Sequence, residues 1–99
     1  MIRQDISVAG YWKIIMLYDV YLGSKNTGFT YTNYDKKRSI VGIAETTSKE
    51  QFINTIVHEA KHVQSHICNY YSVSESGEKA AYLIGYIVQK MFRVFKHLL

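Results

Sequence analysis

From Phe52 to Tyr71 the apolar residues recur at helical spacing, and Ile53, Ile56, Val57, Ala60, Val63 and Ile67 fall on one stripe. A chain of 99 residues supports one domain with one modest core, so the remaining elements must pack around that stripe. Thr47 or Ser48 can cap the helix, with Glu50 or Gln51 three positions on as the capping partner. On the flank of the stripe, His58-Glu59-Ala60-Lys61-His62 reads H-E-x-x-H. Positions four apart share a helix face with a rise of about 6 Å, so two imidazoles can converge on one Zn²⁺ at roughly 2.0–2.1 Å each. Glu59 follows the first imidazole directly and points beside such an ion, where a carboxylate can take a proton from bound water and return it to a leaving group. The alternative is a solvated helix face, with Glu59 paired to nearby basic residues.

A catalytic zinc site normally has three protein ligands and a water. His66 continues the row at i+8, but it lies about 12 Å along the axis from His58, too far to share an ion, and reads as a surface or second-site histidine. Cys68 stands at the offset where metzincins, with H-E-x-x-H-x-x-G-x-x-H, carry their third ligand. The metzincin glycine that turns the chain out of the helix is Ser65 here, so the helix continues and Cys68 reads as a small buried residue.

Glu75 and Glu78 remain as candidates. Ser72, Ser74, Ser76 and Gly77 interrupt the apolar pattern and mark a short connection. Helix resumes at Glu78, with Ala81, Leu83, Ile84, Ile87, Val88, Met91, Phe92 and Phe95 forming its pattern. Ala81 and Gly85 offer a smooth strip for close approach to the motif helix. Glu78-Lys79-Ala80-Ala81-Tyr82 resembles the E-x-x-A stretch that follows H-E-x-x-H in small gluzincin-like proteins of bacteria and phages. The resemblance implies an α+β, zincin-like fold: a small antiparallel sheet of three or four strands, the motif helix, then a helix supplying the third ligand. It implies Zn²⁺ held by His58, His62 and Glu78, with Glu75 or Cys68 as alternatives, and Glu59 as the catalytic base. It also places Val41, Gly42, Ile43 and Ala44 on the strand whose edge receives an extended peptide or protein substrate. Tyr82, one turn beyond Glu78, or Tyr71 is the candidate oxyanion donor. Lys61 and Gln64 are polar where the common zincin pattern has an uncharged and an apolar residue.

Upstream the character is β. Tyr11 to Tyr18, Gly28 to Tyr34 and Ser39 to Ala44 read as strands, Gln4 to Val8 as one more, and Asp19 to Leu22 as a helical turn. No proline breaks any of them. A single cysteine excludes an internal disulfide and suits a reducing compartment. With no signal-peptide core and no apolar run of membrane-spanning length, the expectation is a cytoplasmic protein. The net charge of +4 is concentrated at Lys36-Lys37-Arg38 and along Lys90, Arg93, Lys96 and His97. The first reads as a hairpin turn and the second as cations favourable at a helix C-terminus. Three functions follow in order: a zinc-dependent peptidase-like hydrolase, a catalytically inactive metal-binding or interaction module with a zincin core, and a small basic nucleic-acid-binding protein. The third has no recognisable nucleic-acid module behind it.

Overall fold

The alternation of Trp12, Ile14 and Met16 against Lys13, Ile15 and Leu17 gives a strand with one fully buried face, and the same two-residue period runs through its neighbours. A computed structural model describes residues 2–19, 27–45 and 48–96. Its elements are β1 (Ile2–Val8), β2 (Trp12–Tyr18), β3 (Gly28–Asn33), β4 (Arg38–Ile43), α1 (Lys49–Tyr71) and α2 (Glu78–Phe95). Thr47 and most of the expected turn after Asp19 lie outside the described residues.

The four strands form one sheet in the order β1-β2-β4-β3. β1 and β2 pair antiparallel, as do β3 and β4, but β2 and β4 run parallel, so the sheet is mixed and not antiparallel throughout. Composition explains the order. The two most apolar strands, β2 and β4, take the centre, where both edges are paired and the face towards the helices loses water. The more polar β1 and β3, with Arg3, Gln4 and Asp5 and with Thr30, Thr32 and Asn33, take the rims. Two tight turns close the hairpins. Ala9 and Gly10 both have positive φ between β1 and β2, and Lys37, at φ 49°, turns the chain into β4 while Lys36 N–H donates to Asn33 Oδ1 at 3.2 Å.

Both helices cover the same face. Val8, Trp12, Ile14, Met16, Val41 and Ile43 from the sheet form one cluster with Phe52, Ile56, Ala60, Val63 and Ile67 of α1 and Ile87, Met91 and Phe95 of α2. Each large side chain buried there contributes about 1.5–3 kcal/mol. α1 lies towards β3 and α2 towards β1. Ser48 Oγ accepts from Gln51 N–H at 3.0 Å and caps α1, and Ser72, in the left-handed region, ends it with Val73 N–H bonded back to Cys68 O. Ile53 and Val57 are 45% and 43% exposed, so the buried face is rotated from the expected stripe and takes in Phe52, Thr55 and Glu59 instead. In α2 the small residue at the helix contact is Ala80, while Ala81 and Gly85 face outward. On the other face of the sheet Phe29 lies across Gly42, where any side chain would overlap its ring. No helix among the described residues is long and apolar enough to cross a membrane.

Candidate metal centre on the outer flank of the motif helix

Gln51, Thr55, His58 and His62 follow one another at four, three and four positions, which places them on one flank of α1. The two imidazoles meet there. His58 Nε2 and His62 Nε2 are 3.3 Å apart, with ring centroids 4.9 Å apart, and both residues are exposed. A tetrahedral ion at about 2.0–2.1 Å from each nitrogen requires them to be roughly 3.3–3.4 Å apart. The pair therefore already has the spacing of two ligands on one zinc-sized ion.

Glu59 takes a different position. It is only 4% exposed and turns towards β3, where Thr30 Oγ–H donates to its Oε1 at 2.8 Å. Gly28 makes room for it, since a Cβ there would lie 2.9 Å from Glu59 Oε2 and 2.9 Å from Thr55 Cγ2. A cavity of about 310 Å³ opens in front of this carboxylate, lined by Thr27, Gly28, Gln51, Asn54, Thr55, His58 and Glu59. The carboxylate and the first imidazole thus share one polar, open chamber at the start of β3.

A buried hydrogen-bond chain reaches the same flank. Trp12 Nε1–H donates to Ser39 Oγ at 3.0 Å, Ser39 and Thr32 share a bond of 2.8 Å, and Thr32 Oγ is 2.6 Å from His66 Nδ1. Ser39 is fully buried, and the chain ties His66 Nδ1 to the sheet through Thr32. The distance along the helix keeps His66 outside the ligand set. Burial pushes the His66 imidazole below its ordinary pKa, His62 pushes the same way, and Glu75 opposes them.

The remaining sequence-derived residues do not gather around the histidines. Glu78 is the first residue of α2 and borders a separate shallow cavity with Ser72, Val73, Ser74, Gly77 and Lys79. α2 packs where Gln64 Nε2 donates to Ala80 O at 3.0 Å, and Gln64 lies roughly 160° around the helix from His62 and 120° from His58. Glu78 lines that shallow cavity and not the chamber beside His58. The contact between Gln64 and Ala80 accounts for the polar residues at 61 and 64: Lys61 Nζ donates to Gln64 Oε1 at 2.7 Å, and Gln64 holds α2 in place. Glu75 is engaged elsewhere, accepting from Ser65 Oγ at 3.0 Å with Lys61 Nζ at 3.7 Å. Cys68 is buried beside an apolar cavity of about 170 Å³ that Ile67, Tyr71 and Leu83 help to line. Burial raises its thiol pKa, with Glu75 pushing the same way and Lys61 opposing. Among the described residues no group of three or more His, Cys, Asp or Glu side chains converges on one point.

Tyr82 is 73% exposed on α2, and Tyr71 packs against Trp12 and Tyr70, so neither faces the chamber. The expected rim strand is also displaced. Val41, Gly42 and Ile43 belong to β4, which is paired on both sides, with Ala44 just beyond it, and the strand with an open edge near the histidines is β3. The polar residues of the chamber, Thr27, Gln51, Asn54 and Thr55, were not singled out from sequence. The helical spacing of Gln51 and Thr55 with His58 was the available signal. No family model, curated protein or solved structure matches this chain.

Proposed function

We propose that this chain is a small zinc-dependent hydrolase acting on extended peptide substrates, with His58 and His62 as metal ligands and Glu59 as the general base. The observation that carries the proposal is the 3.3 Å approach of the His58 and His62 nitrogens, with His58 sharing an open chamber with the buried Glu59. Zinc, when bound, polarises a carbonyl and lowers the pKa of its water towards about 7. The protein residues supply the rest. Thr30 holds the Glu59 carboxylate by one oxygen and leaves the other, next to Gly28, to accept a proton from water in the chamber. Asn54, exposed at the chamber wall, can donate to an oxygen that gains negative charge. The outer edge of β3, which has no strand partner among the described residues, can pair with an extended peptide and bring its backbone across the chamber.

Metal analysis of the purified protein is expected to give about one zinc per chain. His58→Ala abolishes that zinc, and Glu59→Gln keeps it while removing hydrolysis of an unstructured protein substrate. Protein free of any transition metal at equimolar supply would refute the proposal. Replacing Glu75 and Glu78 in turn by glutamine tests whether either swings in as the third ligand, the ligand being the one whose loss lowers zinc affinity most.

A second reading rests on the bond between Glu59 and Thr30, which also pins β3 to α1. On that reading the chain is a metal-binding or interaction module in which Glu59 is structural. Glu59→Gln then leaves every metal-dependent property unchanged.

A further inference from the structure

β1 is the other rim of the sheet, and its outer edge has no strand partner among the described residues. Rim strands of this kind are commonly protected by charge. Here the charges have an order of their own. Ile2-Arg3-Gln4-Asp5-Ile6 has an apolar residue at each end, opposite charges inside them and an amide in the middle. Arg3 and Asp5 stand on the same face, 3.2 Å apart, and Arg3 is well exposed. Ile2 is 37% exposed on the opposite face, which it shares with Gln4 and with Ile6, and Ile6 packs against the core.

We infer that β1 pairs antiparallel with β1 of a second copy of this chain, about a two-fold axis through Gln4. In that register Arg3 of each copy stands opposite Asp5 of the other, Ile2 opposite Ile6, and the two Gln4 amides face each other. Directly opposed side chains in an antiparallel pair have Cβ atoms about 4.5–5.5 Å apart, within reach of an Arg–carboxylate bond. The other registers are worse. Centring on Arg3 opposes two guanidinium groups, centring on Asp5 opposes two carboxylates, and a slip of one residue sets Arg3 against Ile6. Parallel in-register pairing opposes like with like at every position. Only the Gln4-centred arrangement matches all five residues, and it is isologous, as a closed dimer requires. The product is a continuous eight-stranded sheet with the two histidine pairs beyond its outer rims. The inference is independent of any metal at those histidines.

Sedimentation of the wild-type chain over a rising concentration series tests this, with circular dichroism confirming the fold of each variant. The expected result is a species of twice the chain mass that is lost in Arg3→Asp alone and in Asp5→Arg alone, and that returns when those two variants are mixed. Gln4→Cys is expected to form a disulfide-linked dimer on mild oxidation, because its Cα atoms meet at the axis within bonding range, whereas Ser7→Cys and the wild type, whose Cys68 is buried, do not. A wild-type chain that stays monomeric across the series would overturn the inference. So would a dimer that survives Asp5→Arg, or Ser7→Cys cross-linking as readily as Gln4→Cys.

Discussion

The two flanks of α1 use similar side chains for opposite ends. On the flank towards α2, Gln64 is 2% exposed and both ends of its amide are occupied, by Lys61 Nζ and by Ala80 O. Ala60, Ile67 and Cys68 are buried beside Gln64, and the space that Ile67 and Cys68 border, of about 170 Å³, is apolar. On the flank towards β3, His58 and His62 are exposed, Glu59 is fastened by a single hydroxyl, and Gly28 withholds a side chain where one would fill the space. Polar residues on a helix thus carry no functional meaning by themselves. What separates the flanks is whether the neighbouring element closes over them, as α2 does, or stops short, as β3 does.

The largest effect that would sharpen this contrast comes from matched truncations. Ile67→Ala is expected to cost about 2–5 kcal/mol in urea unfolding of the metal-free protein, because a buried side chain leaves a cavity. His62→Ala should change the same measurement by less than about 0.5 kcal/mol while abolishing zinc binding. Equal losses at the two positions would erase the distinction between the flanks.

A smaller effect is expected from the two polar anchors. Gln64→Ala removes the side-chain bond to Ala80 O, which keeps its own helical partner, and empties a buried position, so it should cost about 1–3 kcal/mol. Thr30→Val frees the Glu59 carboxylate, and since that group faces an open chamber, water replaces the lost bond and the cost stays near or below about 1 kcal/mol. The reverse order would mean that the β3 flank is the packed one.

The smallest effect concerns pH. Because burial lowers the His66 pKa, the unfolded chain binds a proton there more readily than the folded one, so stability is intact above about pH 6.5 and declines as pH falls through the ordinary histidine range. The decline ends once pH drops below the folded-state value. His66→Gln should flatten this part of the pH profile in chemical denaturation, and a profile unchanged by the substitution would show that His66 is not buried as described.

Local features of the chain were read well from sequence. The motif helix and its Ser48 cap, the short connection, the start of the second helix at Glu78 and the β3–β4 hairpin all depend on neighbours within a few positions. The errors share a cause. Alternation in β4 identifies a strand but not which strands flank it, so Val41–Ile43 lie in an interior strand and the rim on that side of the sheet is β3. Helical periodicity identifies an apolar face but not how the neighbouring elements cover it, so Ile53 and Val57 stand exposed while Thr55 and Glu59 are buried. Both depend on contacts between distant segments, and Thr30 and Gly28 become part of the site only through such contacts.

The parallel junction between β2 and β4 has a bearing on how the chain assembles. β1–β2 and β3–β4 are each joined by a tight turn and can form as separate hairpins within microseconds. Joining them along β2 and β4 matches Lys13 with Arg38 and Tyr18 with Ile43, residues far apart in the chain, so it carries the largest loop-closure cost in the sheet. Until that junction closes, two apolar strand edges stand open at once, and the order of assembly decides whether they meet each other or a neighbouring molecule.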